Sequence, residues 1–180
     1  VKETEGYEGL FHLIEQTPVI YLKAFGPICE VGAESYSFLK PGKNIEEKGD
    51  YLFRELTGNC VGVHVRRTDH TDAIANSPLA LFAERMKKEL EADQETSFFV
   101  ATDDKEVRRE LKELLPDAKL IFPQSDVIDR DSKEGIEEAF VEMIALSKCR
   151  KILGSYNSTF SLLPSYIGNI PLETVCRKES

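Results

Sequence analysis

Apolar residues recur along this chain in two periods, and the change from one to the other marks its elements. Tyr7, Leu10, Phe11, Leu13 and Ile14 form a helix-like stripe over residues 7–16, which Pro18 stops. Val19-Ile20-Tyr21-Leu22 reads as a strand, and residues 23–43, punctuated by Gly and Pro, read as loop. Asn44 is placed to cap a helix through about Leu56, with Glu46 and Glu47 favourably set in its first turn. From Cys60 the order becomes regular. Residues 60–65 predict a strand, Ser77-Pro78 opens a helix to about Ala92, and residues 97–101 predict a strand. Asp103 or Asp104 caps a helix to Leu115, and residues 119–122 are a strand. Ser132 caps a long helix to Ser147. Strand 151–153, helix 158–166 and strand 172–175 complete the series.

Five strands alternating with helices predict an α/β fold: a Rossmann-like parallel sheet with right-handed crossovers and helices on both faces. Ligands of such sheets sit beyond the carboxyl ends of the strands. That rule directs attention to Arg66–Asp69, Thr102–Asp104, Pro123–Asp126 and Gly154–Ser158. Two regions are expected: an N-terminal helical and loop annex over 1–58, and a main α/β domain over 59–180.

Composition narrows the function classes. The 180 residues are 41% hydrophobic and 31% charged, as in a globular chain. A net charge of −9 argues against nucleic acid or an anionic membrane as the main partner. No apolar run approaches the ~20 residues of a membrane helix. The chain starts at Val1, which fits a trimmed chain or a fragment. Cys29, Cys60, Cys149 and Cys176 lie far apart without a CxxC pair, so they predict no zinc site, and Cys60 and Cys149, in or beside apolar segments, read as small buried hydrophobes. A reducing compartment suits them, the cytoplasm if the source is bacterial.

Against that acidic background, two adjacent arginines beside a buried strand stand out. In Val61-Gly62-Val63-His64-Val65-Arg66-Arg67-Thr68-Asp69, strand alternation puts the three valines on one face and Gly62, His64 and Arg66 on the other. Histidine and arginine there are costly unless paired. A structural ion pair, such as Arg67 with Asp69 or with a helix carboxylate, is one reading. A diphosphate clamp is the other, because the planar guanidinium fork matches phosphate oxygens. Asp103 and Asp104 end an apolar strand at the ligand edge, where they serve either as helix caps or as ligand contacts. Leu153-Gly154-Ser155-Tyr156-Asn157-Ser158-Thr159 opens a helix with hydroxyls, which makes an anion site or simply a good cap. His12, on an apolar stripe, reads as structural.

His64-x-Arg66-Arg67-x-Asp69 resembles the HxRRxD motif of α1,2-, α1,6- and protein O-fucosyltransferases. Ala101-Thr102-Asp103-Asp104 is similar to a segment of the α1,6 group, which includes the core and rhizobial nodulation enzymes. Glu142 stands where that group has an acidic residue in a helix ending in Leu-Ser, and Leu153–Thr159 resembles its late hydroxyl-rich loop. The likeness covers roughly residues 40–180. It implies a GT-B-like, metal-independent, inverting glycosyltransferase with no cofactor, using GDP-fucose as donor and a glycan or glycoconjugate as acceptor. By this resemblance Arg66 binds the β-phosphate and stabilises departing GDP, His64 contacts the nucleotide, and Arg67 supports the clamp. Asp104, with Asp103 beside it, and Glu142 hold the guanosine, while Ser158 and Thr159, with Ser155 nearby, hold the phosphates.

The chain also departs from the pattern. His70 replaces a basic residue, Thr159 a glutamine, and Ile74 a glutamate that would be a candidate general base. Asp69 or Asp72 is left for that role. A GT-B enzyme has two Rossmann-like halves, and residues 1–58 are too few for one. They are readable as the remnant of an acceptor-side domain. The rival expectations are a non-catalytic GDP-sugar-binding module and an α/β domain with structural Arg–Asp pairs alone.

Overall fold

The computed structural model describes residues 6–16, 19, 21, 32–36, 38–56, 58–68, 71–125 and 131–177. Its centre is a five-stranded, wholly parallel sheet of β1 (Cys60–Val65), β2 (Ser97–Thr102), β3 (Lys119–Ile121), β4 (Lys151–Ser155) and β5 (Leu172–Val175), in the order β3-β2-β1-β4-β5. The helices are α1 (Gly6–Gln16), α2 (Lys43–Glu55), α3 (Thr71–Asn76), α4 (Leu79–Ala92), α5 (Lys105–Leu114), α6 (Lys133–Ser147) and α7 (Thr159–Gly168), with a short 3-10 helix at Ala33–Tyr36. The strands step outward from β1 to β3, then cross back to β4. The topological switch point therefore lies between β1 and β4, where α/β sheets of this kind hold ligands.

β1 and β2 are buried at every residue, which is why both read as nearly continuous apolar runs. On one face Val61, Val63 and Val65 join Phe98 and Val100 of the sheet. Phe82 and Met86 of α4, spaced i,i+4, pack there with Val107 and Leu111 of α5, spaced likewise. On the other face Phe99, Ala101 and Ile152 meet Val141, Ala145 and Leu146 of α6. Ile45 and Leu52 of α2 belong to this second core, and Lys48 reaches Glu137 of α6 at 2.9 Å. So α2, part of the expected annex, packs directly on the main domain. The 3-10 helix lies against α7 through stacked rings of Tyr36 and Tyr166, 5.4 Å apart.

Several helix starts differ from expectation. α2 begins at Lys43 with Gly42 as its cap and no capping side chain. Asn44 instead points its amide to Glu137, 3.3 Å away on α6. Pro78 rather than Ser77 caps α4, because the buried Ser77 hydroxyl is taken by the Tyr156 N–H at 2.8 Å. The one-and-a-half-turn α3 carries too short an apolar stripe to be read from sequence. Ser132 does cap α6, accepting from the Gly135 N–H at 3.1 Å. In the expected strand 19–22, residues 20 and 22 lie outside the described residues, and Val19 and Tyr21 belong to no regular element.

Candidate functional site

The alternation along β1 builds the site. The valines enter the core on the α4 and α5 side, and His64 turns toward α7. His64 is buried, with Nδ1 2.7 Å from the Ser161 hydroxyl and its ring 4.8 Å from that of Phe160. Burial, and secondarily the charge of Arg66, pushes its pKa down to about 3. The imidazole is therefore neutral at ordinary pH and serves by hydrogen bonding rather than by charge. Gly154 makes this approach possible, since a Cβ built on it would stand 2.5 Å from the Ser161 Cβ.

Beyond β1 the chain is held from both neighbouring strands. Continuing the register that pairs Val65 with Thr102, Arg66 comes opposite Asp103. The Arg66 guanidinium lies 3.1 Å from one Asp103 oxygen, which also accepts the Thr68 hydroxyl at 2.8 Å. The other oxygen accepts the Arg67 N–H at 2.7 Å. From the β4 side, Ser155 accepts the Arg66 N–H at 2.9 Å and donates to the His64 carbonyl at 3.1 Å. Asp103 and Ser155 thus fix the Arg66–Thr68 loop, one from each flank of the switch point.

The two arginines diverge. Arg67 donates through Nη1 to the Arg66 carbonyl at 3.0 Å. Burial lowers its pKa, against the attraction of Asp103, Asp104 and Glu110. One reading of the sequence pairs Arg67 with Asp69 or a helix carboxylate, and the other makes the arginines a diphosphate clamp. The ion pair present here joins Arg66 to Asp103, and Asp69 lies outside the described residues, as does His70.

The aspartates also divide their work. Asp104 caps α5, accepting from the Glu106 N–H at 2.9 Å, whereas Asp103 accepts from the arginine loop. Glu142, a partly buried residue of α6, has its pKa pushed up to about 8, chiefly by burial. Glu138 and Asp103 add to the rise and Arg108 opposes it, which places Glu142 within electrostatic reach of the arginine loop. At α7, Ser158 is the cap residue without a capping side chain, and its carbonyl accepts the N–H groups of Ser161 and Leu162. Its hydroxyl and that of the exposed Thr159 stand at the helix N-terminus, where backbone N–H groups and the dipole favour an anion. Asn157 reaches this helix start through a left-handed turn, φ 51°. Asp72 is exposed in the first turn of α3. A cleft of about 310 Å³ beyond β3, lined by Lys48, Tyr51, Gln124, Ser125, Glu134 and Glu138, adjoins this edge.

Sequence reasoning missed Ser77 and Ser161, each a buried hydroxyl that holds a site element. Ser161 left a faint signal, a polar residue amid the apolar run of α7. Ser77 left none beyond its capping pattern.

These features define a Rossmann-like α/β fold with a cationic loop and a helix N-terminus at its switch point. That fold is shared with solved fucosyltransferase-type structures. It is similar to POFUT1 in complex with GDP, with a TM-score of 0.58 and 17% identity over 79% of this chain and 49% of that one. POFUT1 in complex with GDP-fucose gives 0.58 and 16% over 79% and 49%. NodZ alpha-1,6-fucosyltransferase soaked with GDP-fucose gives 0.51 and 25% over 78% and 47%. The chain spans about half the length of these proteins. No protein-family model matches it, and no curated protein does so by sequence.

Proposed function

We propose that this chain is the donor-binding half of a GDP-fucose-dependent, metal-independent, inverting fucosyltransferase acting on a glycan or glycoconjugate. The observation that carries this reading is the switch point itself. Arg66 is held there by Asp103 and Ser155, two residues along from buried His64, and α7 opens shortly after Ser155. A diphosphate between β1 and β4 meets the Arg66 fork on one side, and the Ser158 and Thr159 hydroxyls with the first N–H groups of α7 on the other. Arg66 supplies cationic charge where the leaving GDP becomes more negative, the task a metal ion performs in other transferases. Arg67 supports this through the Arg66 carbonyl. Among the described residues no three of His, Cys, Asp and Glu gather as a metal site. His64, neutral, and Glu142, protonated over much of the usual pH range, are matched to hydrogen-bonding the nucleoside, with Asp104 near them. Asp72 and Asp69 are the candidate general bases. No helix among the described residues is long and apolar enough to cross a membrane.

A second reading, a GDP-sugar-binding module without transfer, is favoured by Ile74. It lies on α3 where the resemblance calls for a glutamate, and 42% of its surface is exposed. Both readings require GDP binding. Calorimetric titration with chelator present is expected to show GDP binding more tightly than ADP or UDP, since an unmatched buried polar group costs ~1–3 kcal/mol. Binding that appears only with added magnesium or manganese overturns the metal-free clamp. Equal affinity for the three diphosphates removes the guanine contacts. GDP-fucose hydrolysis or transfer separates the first reading from the second.

A further inference from the structure

At the opposite edge of the sheet from the arginine loop, two thiols meet. Cys60 opens β1, and Cys149 lies in the turn between α6 and β4. The Arg150 N–H donates to the Cys60 carbonyl at 2.9 Å, so the two segments run side by side. Both side chains turn to the α6 face, where their sulfurs are 3.9 Å apart. They are 0% and 2% exposed.

We propose that Cys60 and Cys149 are a modification site, an oxidisable dithiol that a hydroperoxide closes to a disulfide. The geometry permits it. The register that pairs Val61 with Lys151 puts Cys60 beside Arg150, one residue along from Cys149, a diagonal placement compatible with the ~4.4–6.8 Å between Cα atoms that a disulfide spans. The sulfurs need to close only to ~2.05 Å, a side-chain movement. Cys60, the first residue of β1 beside the Gly58-Asn59 turn, is the thiol placed to react first. Hydrogen bonding from the Cys149 thiol, which the Ala145 carbonyl also attracts at 3.5 Å, holds the Cys60 thiol below its ordinary range, against the opposing effect of burial. The Ser97 hydroxyl, the Phe99 N–H and the charge of Lys119 act in the same direction. Ser97 Oγ is buried and makes no hydrogen bond of ordinary geometry, so a thiolate at Cys60 gives it an acceptor. Cys149, by contrast, is raised by its place as donor and by burial.

The steps balance. The Cys60 thiolate attacks the peroxide O–O bond, keeps one oxygen as a sulfenic acid, and releases the other as water after protonation. The Cys149 sulfur then attacks the Cys60 sulfur, the S–O bond breaks, and a second water leaves. Two thiols and one hydrogen peroxide become one disulfide and two waters. Access comes through local opening: Cys60 is the first residue of its strand, next to the Gly58-Asn59 turn, where strands fray first.

The test is mass spectrometry of the full chain with Cys29 and Cys176 both replaced by serine, before and after hydrogen peroxide. The expected result is a loss of about 2 Da, a 60–149 crosslinked peptide, and a melting temperature higher by roughly 5 °C or more. Dithiothreitol should reverse all three. Cys149→Ser in that background should give oxidation confined to Cys60 and no crosslink. If the two thiols are merely packed together, peroxide will instead leave both unchanged or add about 32 Da at one sulfur, and either outcome overturns the proposal. The wild-type chain, which needs no folding of a variant, carries the same readout by peptide mapping.

Discussion

Asp103 takes three donors from the arginine loop, so removing the Arg66 side chain leaves its carboxylate with the Arg67 N–H and the Thr68 hydroxyl. The loop should therefore survive Arg66→Ala while GDP binding weakens by on the order of 1.5–3 kcal/mol, the worth of a charged hydrogen bond. Arg66→Lys keeps the charge but loses the fork, so titration should show it already weaker than wild type. Arg67 braces the loop through the Arg66 carbonyl. Its alanine variant should lower the melting temperature more and GDP affinity less. The reverse pattern would show that Arg67 is the phosphate ligand. Two further groups at this scale set the pH response. The folded pKa of His64, about 3, lies below its ordinary 6.5, so its contribution is full above 6.5 and is lost as pH falls toward 3. Glu142 has the opposite sign: raised from 4.5 to about 8, it stabilises most below 4.5, and that stability is lost as pH rises toward 8. Thermal melts should show a plateau between about pH 4.5 and 6.5 and a decline above it. Glu142→Gln should flatten the alkaline decline, and an unchanged decline would place its cause elsewhere.

Helix ends are where local sequence and tertiary contacts compete. At α5 local sequence prevails, because nothing else claims the Asp104 carboxylate oxygen that holds the Glu106 N–H. Asp104→Ala should cost about 1 kcal/mol of stability in denaturant titration, the usual worth of a capping side chain. A larger loss of GDP affinity than of stability would show that Asp104 touches the nucleotide. At α2 and α4 tertiary contacts prevail, with Asn44 drawn to Glu137 and Ser77 to Tyr156 across 79 residues of sequence. This separates what the sequence makes legible from what it hides. The parallel strands, the order of elements and the shared face of Gly62 and His64 are readable, since they rest on periodicity within a few residues. The division of labour between Asp103 and Asp104 is not. It depends on β2 lying beside β1 in a register that brings Asp103 opposite Arg66, and no local pattern encodes that pairing. Ser161 is hidden for the same reason, its partner His64 lying 97 positions away.

At the scale of the whole molecule, the cationic loop, the α7 N-terminus and Glu142 gather about one sheet edge, fed by β1, β2, β4, α6 and α7. The chain spans about half the length of POFUT1 and NodZ. It is accordingly expected to bind GDP-fucose yet transfer fucose slowly, because a positioned general base alone is worth ~10²–10⁴-fold. Rapid turnover on a glycan or peptide acceptor in a discontinuous radiolabel assay would show that residues 1–58 supply more than packing. The sheet that carries the site also has an asymmetry of length. Its six-residue strands, β1 and β2, are interior, while its two borders are the three-residue β3, with exposed Lys119, and the four-residue β5, with Glu173. A second molecule approaching either border finds few backbone groups, with exposed Lys119 beside β3 and Glu173, ion-paired to Arg85 and Lys151, beside β5. Intermolecular strand addition is thereby discouraged at both margins, and crowded folding chains are steered away from the fibrillar contacts that long, flat borders invite.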